Sequence, residues 1–300
     1  MLRRRFLALS AAATAPRMSA AAEHEREILR FGLLTDVQYA DADPKGERHY
    51  RESIPKLKEA VADLAKEKLP FTLHLGDTID RDFASFDGIV PLFEGLGHPL
   101  RNILGNHDFE IADEHKPEVV KRLGMPSDHY AFTHGKVRFV MLDTNEVSVF
   151  KHAAASPETR AGQEAMKLLG SAPNAKPWNS GVSNAQLEWL EKELAAADAA
   201  GEMVFVCGHH PLFPLEMHTA WNHADVLAVL GKHKCVRAYL CGHNHAGNEV
   251  TSPGGIPCIT FKSLLHEPGV TAYAVVTVFT ERLVIEGRGR EQSRSVALRV

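Results

Sequence analysis

Aromatic residues make up only 7% of this 300-residue chain, and there are only four cysteines. Cys207, Cys235, Cys241 and Cys258 show no metal-binding spacing, and Cys207 and Cys241 fall inside apolar runs. That pattern points to buried free thiols and away from a disulfide scaffold. Beyond residue 30 no stretch approaches the roughly 20 apolar residues that a membrane-spanning helix needs. There are no internal repeats or low-complexity tracts, and a formal net charge of −4 argues against a nucleic-acid-binding surface. What is left, 44% hydrophobic and 24% charged residues, suits a globular enzyme with a substantial core.

The first 22 residues read as a cleaved export signal. Arg3-Arg4-Arg5-Phe6-Leu7 opens it, a short mildly apolar stretch follows, and Ser19–Ala22 offers small residues for cleavage. Arg-Arg-x-Phe-Leu resembles a twin-arginine signal, which exports proteins already folded and implies a periplasmic or extracellular destination. Residues 23–300 then read as one domain with an irregular, proline-broken insertion near 144–180.

Within that domain, strand-like apolar runs alternate with helical periodicity. Ile28–Thr35 reads as a central strand, and Leu57, Ala60, Val61, Leu64 and Ala65 mark a helix over about 53–66. Strands follow at Phe71–Leu75 and Pro99–Leu104, and a hairpin over Tyr130–Leu142 turns at His134-Gly135. Ser183-Asn184-Ala185-Gln186 is a capping box that opens a helix to about Ala200. The βαβ rhythm predicts mainly parallel strands covered by helices. The helix-free run of Ile256–Phe261, Ala272–Phe279 and Leu283–Glu286 predicts a second sheet packed on the first. The expected fold is therefore α/β, a four-layer α/β/β/α sandwich.

Five strand ends carry residues that bind metals. These are Asp36-Val37-Gln38, Gly76-Asp77, Gly105-Asn106-His107-Asp108, Gly208-His209-His210-Pro211 and Gly242-His243-Asn244-His245. Open α/β sheets place ligands at such carboxyl ends. Asp36, Gln38, Asp77, Asn106, His209, His243 and His245 form a hard-to-borderline donor set suited to Mn²⁺, Fe²⁺ or Zn²⁺. Seven protein groups are too many for one open catalytic ion and about right for two, bridged by the central Asp77. Any one of these turns alone would be an ordinary turn; their joint occurrence is what points to a metal centre. Tyr39, Phe213 and Trp221 stand near these segments and are candidates to stack on a base.

In this order, Asp-x-Gln, Gly-Asp-x-x-Asp, Gly-Asn-His-Asp, Gly-His-x-Pro and Gly-His-x-His resemble the calcineurin-like metallophosphoesterase superfamily. Gln38 departs from the superfamily's usual histidine. Together with Thr219-Ala220-Trp221-Asn222 and Gly287-Arg288-Gly289-Arg290, it resembles the manganese-dependent ADP-ribose/CDP-alcohol diphosphatases. The resemblance covers about Phe31 to Arg290. It implies that Asp36, Gln38, Asp77 and His245 hold one ion, manganese before iron or zinc, and that Asp77, Asn106, His209 and His243 hold the second. It also implies that His210 is not a ligand, that His107 faces the phosphoryl group, and that Asp108 orients His107. The implied reaction is hydrolysis of a nucleoside diphosphate-linked sugar or alcohol, a small-molecule substrate. The alternatives are an exported cyclic-nucleotide phosphodiesterase or phosphomonoesterase on the same fold, and a non-catalytic metal-binding module.

Overall fold

The computed structural model describes residues 26–300; the proposed export signal lies outside them. Three short parallel strands open the chain: β1 (Leu29–Leu34), β2 (Thr72–His74) and β3 (Leu100–Asn102). Helix α1 (Ser53–Leu64) and the short α2 (Ser85–Ile89) lie in the connections between them. After a further short helix α3 (Val119–Arg122) comes the hairpin β4 (Tyr130–His134) and β5 (Val137–Met141), as its turn signal predicts. Helix α4 (Pro157–Leu168) precedes α5 (Asn184–Ala200), β6 (Met203–Cys207), α6 (His223–Lys232) and β7 (Val236–Cys241). The strands β8 (Asn248–Thr251), β9 (Pro257–Thr260), β10 (Ala272–Val278), β11 (Arg282–Gly289) and β12 (Arg294–Ala297) complete the chain.

These strands form two six-stranded sheets, ordered β12-β11-β10-β1-β2-β3 and β4-β5-β6-β7-β9-β8. The second sheet is thus not the C-terminal run on its own. Only β9 of that run joins it, while β10 pairs antiparallel with β1 and carries β11 and β12 onto the first sheet. Strand order cannot be read from adjacency here, because both faces of β10 are apolar and fit either sheet.

Side-chain alternation builds the four layers. Val137, Phe139, Met141, Phe205, Cys207, Ala238 and Leu240 point between the sheets. Val140, Leu142, Val204, Val206 and Tyr239 point outward onto Leu190 and Leu194 of α5 and Val226 and Leu230 of α6. On the far side, Leu57, Ala60, Val61 and Leu64 of α1 cover the first sheet. The few aromatics are concentrated where they stabilise most. Phe31, Phe71, Phe132, Phe139 and Phe205 form a ring chain between the sheets, with centroids 5.1–5.7 Å apart. Each such pair adds about 0.5–1.5 kcal/mol beyond burial. All four cysteines are buried and unpaired.

The segment 144–180 is better ordered than its composition suggests. Ser156 caps α4 through Thr159 N, with Pro157 in the first turn. Ser183 caps α5 through Gln186 N, but the Gln186 side chain does not close the expected box. Its amide instead exchanges hydrogen bonds with the Asp143 backbone, tying α5 to the end of β5.

Candidate metal centre

The carboxyl ends of β1, β2 and β3 in one sheet converge with those of β6 and β7 in the other. Four of the seven candidate ligands sit in the left-handed region: Asp36 (φ 52°), Gln38 (44°), Asp77 (58°) and His243 (64°). Such non-glycine conformations cost free energy and collect at functional sites. The glycines preceding the motifs permit the close approach. A Cβ on Gly105 would lie 2.1 Å from Asp77 Oδ1, and one on Gly242 would lie 2.1 Å from Thr35 Oγ1.

Two clusters of donor atoms share Asp77. Asp77, His209 and His243 place candidate ligand atoms within 4.8 Å of one another, and so do Asp36, Asp77 and His245. His209 Nδ1 donates to the Leu75 carbonyl at 2.7 Å, leaving Nε2 free 3.2 Å from both Asp77 Oδ2 and Asn106 Oδ1. His243 Nε2 donates to Asn179 Oδ1 at 2.9 Å, which frees Nδ1. His245 is held through Nδ1 by His266 Nε2 at 2.8 Å, and its Nε2 lies 3.3 Å from Asp36 Oδ1. Fixing one imidazole nitrogen to orient the other is how proteins prepare histidine as a ligand. Burial works against charge on Asp77, but the His209 and His107 rings hold its carboxyl well below the usual range, so it stands ionised.

The residues fit two divalent cations. Asp36 Oδ1 is buried without a hydrogen-bond partner among the described residues, a costly arrangement that a cation relieves. In Gln38 it is Nε2 that faces Asp77 Oδ2 (2.6 Å) and His245 Nε2 (3.2 Å). A half-turn of this near-symmetric amide exchanges nitrogen for oxygen, giving the harder donor expected of it. His210 is set apart from the donors: its Nδ1 meets Thr144 Oγ1 at 2.9 Å and its Nε2 donates to the Trp178 carbonyl.

Around His107 the structure corrects the expected partner. Asp108 does not orient the ring, because its oxygens accept backbone N–H bonds from Thr78, Ile79 and Gly105. It braces the two loops that carry Asp77 and Asn106. The carboxylates beside His107 Nδ1 are Glu110 at 3.2 Å and Asp80 at 3.5 Å. Asp80, His107 and Glu110 also form a compact donor group of their own. Burial opposes charge on the imidazole, but Asp77, Asp80 and Glu110 raise its pKa well above the ordinary value.

A cavity of about 660 Å³ opens over these groups, lined by Asn106, His107, His243 and His245 together with residues the sequence did not single out. Lys45, Arg48 and Glu110 line it, and so do His218, His266 and Trp178. The three proposed base-stacking residues are not in its wall. Tyr39 and Phe213 pack against the two cores, and Trp221 is buried with its indole N–H on the Lys176 carbonyl. Trp178, 38% exposed, is the aromatic at the cavity. It belongs to the segment that sequence periodicity left unread, as does Asn179. Asn179 is fully buried, and its Nδ2 donates to the Asn174 and Met217 carbonyls, which aims its oxygen at His243. No periodic or motif signal marks either residue; their roles arise from where the loop folds.

Two facing sheets whose strand ends gather carboxylate, amide and imidazole donors around one shared aspartate define a metal-dependent hydrolase of phosphoester bonds. Residues 29–247 match the family model for calcineurin-like phosphoesterase, and the chain belongs to that family. It is 29% identical to a manganese-dependent ADP-ribose/CDP-alcohol diphosphatase of Xenopus tropicalis, over 92% of this chain and 96% of that one. A rice (Oryza sativa subsp. japonica) protein of the same name is 30% identical over 89% of this chain and 93% of its own. Among solved structures, a dimetal phosphatase from Danio rerio superposes with a TM-score of 0.82 at 26% identity, covering 91% and 99% of the two chains. A purple acid phosphatase from yellow lupin, at 16% identity and a TM-score of 0.56, covers 90% of this chain and 53% of its own and shares the fold.

Proposed function

We propose that this protein hydrolyses the phosphoanhydride bond of nucleoside diphosphate-linked sugars or alcohols, such as ADP-ribose or a CDP-alcohol. The products are a nucleoside monophosphate and a phospho-sugar or phospho-alcohol. The observation that carries the reading is the pair of donor clusters sharing Asp77, whose His243 and His245 line a cavity large enough for such a ligand. Near-full-length similarity to diphosphatases of that name supports the choice of bond.

In this reading Asp36, Gln38, Asp77 and His245 hold one divalent ion, and Asp77, Asn106, His209 and His243 hold the other. Manganese is favoured by the relatives' name and by the hard oxygen donors. Two such ions supply an acidified water and neutralise phosphoryl charge. The chain's own groups do the rest. His107 Nδ1 is buried against Glu110 and Asp80, and Nε2, whose neighbour is Arg48 Nη1 at 3.2 Å, is the nitrogen that meets the oxygen that departs. A departing phosphate needs less protonation than an alkoxide, so diphosphates suit this site better than monoesters. Trp178 offers a face for the base.

The test is a comparison of kcat/KM for ADP-ribose, CDP-choline, a cyclic mononucleotide and 4-nitrophenyl phosphate with Mn²⁺. The expected outcome is manganese-dependent conversion of ADP-ribose to AMP and ribose 5-phosphate, faster than the last two substrates. A higher value for the cyclic nucleotide or the monoester would refute the choice of bond while leaving the metal-dependent hydrolase in place.

The proposal extends to compartment. The Arg3-Arg4-Arg5-Phe6-Leu7 leader is read as a twin-arginine signal that exports a single domain of residues 23–300 after it has folded. A fusion of residues 1–23 to a folded reporter is expected in the periplasm only while the Arg3-Arg4 pair is intact. Retention of the unmodified fusion in the cytoplasm would end this part of the reading.

A further inference from the structure

The loop between β1 and α1 carries two arginines that are treated very differently. Arg51 is saturated by acids, with Nε 2.5 Å from Asp41 Oδ1 and Nη1 2.6 Å from Asp43 Oδ1. Arg48 has no comparable partner. Its Nη1 lies 3.2 Å from His107 Nε2, and its nearest carboxylate among the described residues, Asp80 Oδ2, is 3.7 Å away. That same carboxylate is already engaged by His107 at 3.5 Å and, through its other oxygen, by Arg81 at 3.8 Å. A guanidinium has donors only and no acceptor, so an imidazole nitrogen and a shared, distant carboxylate leave most of its fork unused.

The backbone that carries it is built, not loose. Lys45 and Arg48 exchange backbone hydrogen bonds at 3.0 and 3.1 Å across a turn in which Gly46 has φ 59°. Arg48 also bridges to His266, and the carbonyls of Leu264, Leu265 and His266 all accept from the buried Lys56 Nζ of α1. The Arg51 pairs close the base of the same loop. The fold thus fixes the backbone beneath a permanent cation at the wall of the cavity, beside the group that meets the departing oxygen, while its side chain stays 34% exposed.

We propose that Arg48, with Lys45 beside it in the cavity wall, forms the subsite for the second phosphate of the substrate, the one that departs. This rests on the diphosphatase reading above. In the reaction, the oxygen of water bonds to the attacked phosphorus and that phosphorus loses its bond to the bridging oxygen. The bridging oxygen keeps the electron pair and leaves as a terminal oxygen of the second phosphate, while the proton lost by the attacking water goes to solvent. Arg48 exchanges its weak contact with His107 for charge-assisted bonds to that phosphate, where negative charge accumulates. Arg48 then sets preference for a phosphoanhydride over an ester whose leaving group is neutral or carries no phosphate.

The experiment compares Arg48→Ala and Arg48→Lys with the native enzyme on ADP-ribose and on bis(4-nitrophenyl) phosphate, a diester without a second phosphate. Metal content and melting temperature serve as controls. Arg48→Ala is expected to lower kcat/KM for ADP-ribose on the order of 10²-fold and that for the diester by less than about 5-fold. Arg48→Lys is expected to recover part of the loss, because it keeps the charge but not the fork. Equal losses on both substrates, or none on ADP-ribose, would overturn the subsite. Should the native enzyme cleave neither ADP-ribose nor CDP-choline, the diphosphatase reading and this subsite fall together, and that outcome is visible before any variant is made.

Discussion

Asp77→Asn is expected to bring metal content from two ions per chain to near zero and to lower turnover by about four orders of magnitude, roughly 5 kcal/mol of barrier. The substitution keeps the side-chain shape, and asparagine tolerates the left-handed backbone found there (φ 58°), so the fold is expected to survive. What it removes is the charge common to both donor clusters. His243→Ala is the graded companion: His243 belongs to one cluster only, so one ion should remain while most activity is lost. The measurement is elemental analysis after equilibration with Mn²⁺, run beside circular dichroism and turnover. An Asp77→Asn protein that still binds two ions tightly and turns over normally would remove the basis of the metal centre.

His107→Ala should separate chemistry from metal binding. The ring lies beside Asp80, Glu110 and Arg48, and it is absent from both donor clusters that share Asp77. Turnover of ADP-ribose is expected to fall by about 10²–10³-fold, the ordinary contribution of a general acid or a preorganised donor. Metal content should stay at the native value. Depletion of an ion from the His107→Ala protein would show that the ring is a ligand.

The fold class was legible because buried parallel strands and their helices carry strong periodicity. Ile28–Thr35, the helix near residue 53 and the hairpin at His134-Gly135 all match observed elements within a few residues. Three features were not legible for physical reasons. The pairing of β10 with β1 depends on long-range packing, and its apolar faces suit either sheet. Strands β8 and β12 are short, polar edge strands with exposed residues, so they lack an alternating signature. Helix α4 is a polar surface helix between prolines, marked only by Ser156-Pro157. At the site, sequence motifs name residues that stand at strand ends, and the structure brings Asp36, Asp77, His209, His243 and His245 together. Motifs say nothing of partners that arrive from elsewhere. Asn179 on His243, His266 on His245 and Arg48 on His107 each join residues more than twenty positions apart or from unpatterned loops. Asp108 shows the converse: adjacency to His107 suggested a contact, yet the local turn sends its carboxylate to backbone amides instead.

The four cysteines have a consequence of another kind. Cys207 and Cys241 have no accessible surface, Cys258 is buried within β9 of the second sheet, and Cys235 is barely open, with none joined to another. The molecule therefore holds its shape without a covalent staple, and its redox surroundings do not enter the balance between folded and unfolded forms. Each sulfur is also a sealed chemical clock. A thiol reagent can reach it only when the layers above part, so the rate of modification reports how often that part of the sandwich opens. Under the export proposed above, the enzyme would carry those thiols into an oxidising compartment unspent.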